Sequence, residues 1–317
     1  MKRRQFIINS AMGGASLSIY PFLNCSKKEG EPEIKYPRRK LGKTGETLPI
    51  IGFGGIVVKE LEQTYANSVV AKAFDRGINY FDVAPTYGNA EDVLGPALKP
   101  YRNQSFLACK TTKRDRENSE LELNESLNKL QTDYFDLYQL HSLNKIEDVE
   151  QAFGPNGAME TFLKARQDGK IRFIGFSAHS EEAALLAMEQ FDFDTILFPI
   201  NFVCWFQGNF GQRAVAKAKE KGMGIIALKT LALSYVPKGE ERPYKRLWYQ
   251  PMDDPEMANL SVRFTLSQGT TAAIPPGDEQ FFWKGVEIAE NFSPITDEEI
   301  EKLKKMAEGV EPIFKTA

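Results

Sequence analysis

The sequence predicts an α/β fold of the (β/α)8 TIM-barrel kind, with an N-terminal hairpin before the barrel and a C-terminal helix after it. Three observations carry this expectation. Short apolar runs alternate with helix-periodic stretches, recurring about every 30 residues, the length of one strand–helix–strand unit. The runs are mostly apolar without strict alternation, as suits strands of a parallel sheet buried on both faces. The turn after the first run, Phe53-Gly54-Gly55, lacks the third glycine and the later acidic residue of a dinucleotide-binding doubly wound sheet.

The elements follow in order. Arg38 to Ile50 places glycines between short extended pieces and reads as a hairpin. Ile50–Phe53 is the expected first strand, and Leu61–Asp75 the first helix, stopped by Gly77. Tyr80–Asp82 is the second strand, and a short helix starts at Glu91. Ser105–Lys110, Phe135–His141, Ile171–Ser177, Thr195–Pro199, Ile225–Leu228 and Thr271–Ile274 are the expected strands three to eight. Helices are expected over Arg116–Leu130, about Gly157–Gln167, Glu181–Glu189 capped by Ser180, through Val215–Lys221, and over Met257–Ser267. A capped, charged helix starting near Ile295 and running to Ala307 should pack on the barrel's outside.

Composition narrows the function classes. The 317 residues are 42% hydrophobic and 26% charged, enough for one large domain. A formal net charge of -3 gives no basic footprint for nucleic acid. Cys25, Cys109 and Cys204 have no metal-type spacing, and two histidines, His141 and His179, do not make a metal site.

Residues 1–36 read as an export leader and polar tether, with residues 37–317 as the barrel and its C-terminal helix. A cationic start, Lys2-Arg3-Arg4, precedes a modest apolar run from Phe6 to Leu23 that is too polar for a good membrane span. The adjacent arginines resemble a bacterial twin-arginine signal, which implies the twin-arginine export machinery as a partner and the cell envelope or periplasm as destination. Cys25 follows the run and is open to two readings, a lipid anchor or a lone thiol.

Polar residues close several strands. Asp82 ends the second, Lys110 the third, His141 the fourth and Ser177 the fifth, and Tyr87 stands five residues past Asp82 in a Pro/Gly-marked loop. Barrel sites form at the C-terminal ends of strands, so these groups should meet at one mouth. Singly, each has a structural reading as cap, rim charge or core residue; on consecutive strands they suit chemistry together. A tyrosine with a pKa near 10 becomes a usable proton donor beside an ammonium that stabilises its phenolate. Asp82 would hold Lys110, and a neutral His141 would orient a carbonyl oxygen. That set suits a carbonyl turned to an alcohol by hydride from a nicotinamide, and supplies no activated nucleophile for hydrolysis.

The stretches Phe81–Gly88, Cys109-Lys110-Thr111, Leu137–His141 and Gly169–Ser177 resemble motifs of the aldo-keto reductase family, and Leu41–Gly45 and Gly52–Gly55 resemble its hairpin and first strand. The resemblance runs from about Arg38 to Asn291. It implies Tyr87 as general acid/base, assisted by Asp82, Lys110 and His141, with NADP(H) or NAD(H) across the barrel mouth. Cofactor-binding positions implied are Gly54, Asp82, Ser177, Leu228, Lys229, Pro276 and Gly277. No metal is implied.

Departures from the pattern are specific. Ala178 stands where asparagine usually follows the strand-five serine, Pro199 stands near a usual glutamine, and Leu228 replaces the stacking aromatic. Lys229 is open to two readings, a phosphate ligand or a solvated loop lysine. His179 is expected as a loop residue beside the Ser180 cap, with a place in the site as the alternative. Asp278 and Glu279 follow Pro275-Pro276-Gly277, and no Lys or Arg stands immediately there for a 2'-phosphate, which leaves NADP(H) and NAD(H) both open. Val203–Phe206 and the long stretch Leu231–Glu256, with Tyr235, Tyr244, Trp248 and Tyr249, are the expected substrate wall. The sequence thus predicts an NAD(P)H-dependent oxidoreductase acting on a small-molecule carbonyl or alcohol. The alternative is a cofactor-bound binding or redox-sensing protein with little turnover.

Overall fold

The computed structural model describes residues 36–242 and 244–316. The twin-arginine pair Arg3-Arg4, the rest of the leader up to residue 35, and Cys25 lie outside them. Arg38–Lys40 and Thr47–Pro49 pair antiparallel into the expected hairpin. Gly42 turns it at φ +52°, where a Cβ would stand 2.5 Å from the Gly222 carbonyl oxygen, so only glycine lets the turn close on the barrel floor.

Eight parallel strands then form one sheet: Phe53–Gly54, Tyr80–Asp82, Phe106–Thr111, Phe135–Leu143, Ile171–Ala178, Thr195–Pro199, Gly224–Leu228 and Ala272–Ala273. Each pairs with the next in chain order. The ring closes where Ile51 bridges Ala273, with Gly52 N donating to Ala273 O and Ala273 N to Ile50 O, each at 2.9 Å. The interior is packed with side chains: Tyr80, Phe106, Leu137, Leu197, Ile226 and Ala272 form one cluster, and Leu41 and Leu48 of the hairpin plug it from below. The larger apolar cluster lies between the strands and the surrounding helices.

Local chemistry sets the helix starts. Asp115, Ser180 and Asp254 each accept a backbone N–H three residues on, beginning the helices Arg116–Lys129, Glu181–Gln190 and Pro255–Ser267. Thr296 and Glu299 cap each other's backbone at the start of Asp297–Ala307, which packs on the helices Phe202–Phe206 and Pro255–Ser267.

Several elements go beyond the sequence expectation, among them the helix Glu279–Glu290 after the last strand. A helix, Ile146–Phe153, precedes the expected Ala158–Gln167. The Val203–Phe206 stretch lies in the helix Phe202–Phe206 and packs Trp205 and Phe206 against Phe264, away from the mouth. Within the long stretch after strand seven, Ala232–Tyr235 and Tyr249–Pro251 pair antiparallel. The chain after the last helix is tied there, Tyr235 OH donating to Ile313 O at 2.8 Å and Ser234 Oγ to Glu311 O at 2.9 Å.

Candidate active site

Side chains alternate along a strand, so residues two apart share a face. Tyr80 and Asp82 share one on strand two, and Gln139 and His141 share one on strand four. Lys110 pairs with Gln139 in register across strands three and four. This arrangement buries Asp82 and Lys110 together at the upper end of the barrel. The Lys110 ammonium forms an ion pair with Asp82 Oδ1 and donates to Val83 O at 3.1 Å. Asp82 Oδ2 accepts from Gln139 Nε2 at 3.0 Å and from Tyr80 OH at 3.2 Å. Burial pulls the Lys110 pKa down, but Asp82 and Tyr87 outweigh it and hold the ammonium above its ordinary value.

Tyr87 stands half-buried above this pair, with Lys110 Nζ 5.3 Å from its ring centre. Gly88, at φ +65°, turns the loop just after it. Burial raises the phenol's pKa, and the Lys110 ammonium works against that rise. The phenol is therefore a protonated donor at neutral pH whose conjugate base has a cation waiting. His141 meets Tyr87 edge-on, ring centres 5.9 Å apart and planes at 88°. Burial, then the Lys110 charge, pushes its pKa well below 6.5, so the imidazole is neutral. Its Nδ1 is buried with no hydrogen-bond partner among the described residues. Such an atom is costly in a core and tolerable where a ligand comes.

These groups open on a cavity of about 280 Å³. Asp82, Tyr87 and His141 line it from strands two to four, and Ser177 and His179 from strand five. Leu228 and Lys229 line it after strand seven, and Pro276 and Gly277 with Gly54 line its strand-eight side. Lys110 lies beneath, in contact with Asp82. All ten residues singled out in the sequence therefore sit in or directly under one cavity.

Other cavity residues were not foreseen. Ile56, Leu197, Ile274 and Pro275 line it. So does Arg246, which donates to Val57 O at 2.7 Å and to Lys59 O at 2.5 Å and ties the strand-seven loop to the strand-one loop. Of the four aromatics expected as a wall, Trp248 and Tyr249 line the cavity; Tyr235 instead bonds the C-terminal tail and Tyr244 bonds Asp253. His179 also lines the cavity, stacked flat on Phe314 at 5.1 Å with Nδ1 3.0 Å from Ser142 Oγ. It stands in the loop beside the Ser180 cap, as expected, and takes the alternative place in the site as well. Ser142 itself holds φ +59°, a strained conformation for serine, and Arg114 donates to the carbonyls of His141 at 2.7 Å and Ser142 at 3.2 Å.

The cavity fits a nicotinamide cofactor on its own terms. The Ser177 oxygen accepts from Ser142 N at 2.7 Å, which leaves the O–H to donate into the cavity. Leu228 offers an apolar face beside it, and Gly54 and Gly277 present bare backbone. At the strand-eight end, Asp278 caps the helix Glu279–Glu290 by accepting from Gln280 N, and Glu279 is held by Tyr65 OH and Trp283 Nε1 at 3.0 Å. Among the described residues no cluster of His, Cys, Asp and Glu is set to hold a metal ion.

Known proteins share this architecture. Residues 50–308 match the model of the Aldo/keto reductase family. An uncharacterized oxidoreductase of Bacillus subtilis is 31% identical over 155 residues, 44% of this chain and 48% of that protein. An L-galactose dehydrogenase of Arabidopsis thaliana is 27% identical over 216 residues, 63% of this chain and 66% of that protein. The chain thus spans between about half and two thirds of the length of these two relatives. Among solved structures, the holo form of an aldo-keto reductase from Bacillus halodurans matches 88% of this chain and 98% of its own with a TM-score of 0.69, at 22% identity, a likeness of fold. With a family match running from the first barrel strand to the C-terminal helix, the chain belongs to the aldo-keto reductase family.

Proposed function

We propose that the protein is an NAD(P)H-dependent carbonyl reductase, acting on an aldehyde, ketone or sugar carbonyl, or on the alcohol in the reverse direction. One observation carries the reading: a half-buried phenol and a neutral imidazole meet 5.9 Å apart over a buried Lys–Asp pair, inside a single cavity. The nicotinamide, when bound, supplies or takes up the hydride. The residues to hold it are Gly54, Ser177, Leu228, Pro276 and Gly277. His141 donates an N–H to the substrate oxygen and fixes its direction. Tyr87 OH gives that oxygen its proton, and Lys110 stabilises the phenolate left behind. Asp82, itself held by Tyr80 and Gln139, keeps the ammonium in place.

The test is loss of nicotinamide absorbance when the purified full-length chain meets NADH or NADPH and a panel of aldehydes, ketones and sugars. Turnover is expected with at least one pair. Nucleotide retained without turnover across the panel would move the reading to a binding or redox-sensing protein.

We also propose export to the bacterial cell envelope by the twin-arginine route, on the strength of the leader sequence alone. Replacing Arg3 and Arg4 by lysine together should leave the protein in the cytoplasmic fraction. Continued export of that variant would sink the proposal.

A further inference from the structure

We propose that the substrate carries a carboxylate as well as its carbonyl, and that Lys229 and His179 receive that carboxylate at the cavity wall. The inference rests on the reductase reading and names its substrate class. Lys229 lines the cavity, yet among the described residues it stands in no ion pair, and burial pulls its ammonium down from 10.5 to about 8. What holds the ammonium is aromatic, with Nζ 5.1 Å from the Trp248 ring centre and 4.9 Å from that of Tyr249. The backbone is committed to this placement. Lys229 holds φ +67°, and its carbonyl accepts from Asn201 Nδ2 at 3.2 Å and from Ala232 N at 3.0 Å. A strained turn clamped in this way, bearing a cavity-lining cation without a counter-ion, is a site prepared for an anion.

His179 completes it. The ring stacks on Phe314 at 5.1 Å, Phe314 meets Trp248 edge-on at 6.1 Å, and Trp248 underlies the ammonium, so the four residues form one continuous wall. In the tautomer in which Nδ1 accepts from Ser142 Oγ, the proton stands on Nε2, and a neutral N–H is available beside a cation. The cofactor's diphosphate is the competing source of an anion, and nucleotide affinity separates the two. The Lys229 charge acts on His141 and His179, the groups at the ends of strands four and five. Asp278, at the strand-eight end, acts on Tyr244 and on Tyr249, the same ring that lies under the Lys229 ammonium. The ammonium thus acts on the two histidines at the catalytic end of the cavity, where a substrate carboxylate would meet it.

The experiment compares oxo-carboxylic acids of increasing chain length, from glyoxylate through succinic semialdehyde, with their methyl esters. It uses the full-length chain and its Lys229→Met, Lys229→Arg and His179→Gln variants. At one chain length or more, the acid should exceed its ester at least tenfold in kcat/KM, through KM. Lys229→Met should cut that acid-to-ester ratio ten- to a hundredfold, Lys229→Arg should keep most of it, and His179→Gln should lower it about threefold. Wild-type turnover of esters as readily as acids overturns the assignment and leaves the reductase standing. So does a Lys229→Met variant that binds nucleotide more weakly while its acid-to-ester ratio holds, because the ammonium then serves the cofactor's diphosphate. Absence of all turnover would instead count against the reductase reading. Calorimetric titration with succinamate, which cannot be reduced, then reads the site directly. Binding by the wild type that Lys229→Met loses sustains the proposal, and no binding by the wild type overturns it.

Discussion

Two buried carboxylates, each 2% exposed, sit toward opposite ends of the barrel wall, and they are surrounded differently. Asp136, near the start of strand four, accepts from Arg102 at 3.0 Å, Arg172 at 2.7 Å and the Leu107 amide at 2.9 Å. The remaining Arg102 donors reach Ser105 O, Tyr134 O and Thr132 Oγ1, and Arg172 pairs with Glu46. Asp82, at the end of strand two, is as well supplied by Lys110, Gln139 and Tyr80. Asp82 itself, however, lines a cavity together with His141, and among the described residues neither His141 Nδ1 nor the buried Gln139 Oε1 has a hydrogen-bond partner. The lower network is closed and the upper one is left open on one side. Closed networks hold a fold together, whereas an open one waits for a ligand.

The largest effect expected from breaking this contrast is at the upper end. Tyr87→Phe removes only the proton-donating oxygen, so turnover should fall by about 10² to 10⁴-fold. Stability in urea should change by less than about 1 kcal/mol, since the ring still packs. Turnover within a factor of two of wild type would remove Tyr87 from its role.

The lower end should behave in the opposite way. Asp136→Ala leaves a buried Arg102 unpaired and the Leu107 amide without an acceptor. The expected loss is about 3 kcal/mol, toward the small end for a broken buried pair because Arg172 keeps 44% of its side chain in solvent. Urea unfolding measures it, and turnover per folded molecule should match the wild type. A variant that loses turnover at full stability would show that the two ends are not separable in this way.

The same contrast explains what the sequence revealed. Asp82, Lys110, His141 and Ser177 were legible because each ends an apolar run, and a barrel sends all such ends to one mouth. Tyr80 and Gln139, each two residues before a site residue, carried the same signal through the strand's two-residue period. What stayed hidden depends on contacts across the chain. His179 enters the cavity wall through Ser142 and Phe314, which lie 37 and, by subtraction, 135 residues away (314 - 179). Arg246 reaches Val57 across 189 residues, and the strands Ala232–Tyr235 and Tyr249–Pro251 pair only once a long charged stretch has looped back. The helix Ile146–Phe153 is short and sits directly before Gly154-Pro155, which reads locally as loop.

A smaller effect sharpens the upper site. Ser177→Ala removes the O–H that faces the cavity and the oxygen that accepts from Ser142 N. One lost hydrogen bond of this kind is worth about 1 kcal/mol, so the nucleotide Kd should rise roughly five- to tenfold by calorimetric titration. Ser177→Thr keeps the hydroxyl and should restore most of the affinity. An unchanged Kd in the alanine variant would place the cofactor's contacts elsewhere.

The smallest effect is in the pH dependence of stability, and its sign follows from the histidines. His179 is held at about 4 and His141 well below 6.5, burial being the first cause for both. As pH falls from 7 to 6, the unfolded chain takes up protons on these rings and the native chain does not, so the native state loses stability. Each ring contributes about 0.7 kcal/mol of loss over that interval. Glu91 and Asp194, both raised by burial, bind protons more tightly in the native state and tilt the curve the other way. The difference between wild type and His179→Gln isolates the imidazole. In urea unfolding at pH 7 and pH 6, the variant should lose less stability than the wild type, by about the contribution of one ring. A variant that follows the wild-type slope would mean that His179 takes up its proton in the folded protein near the ordinary pH. The ring would then be charged beside Lys229 in mildly acidic solution, and the cavity wall would carry two cations where the geometry places one.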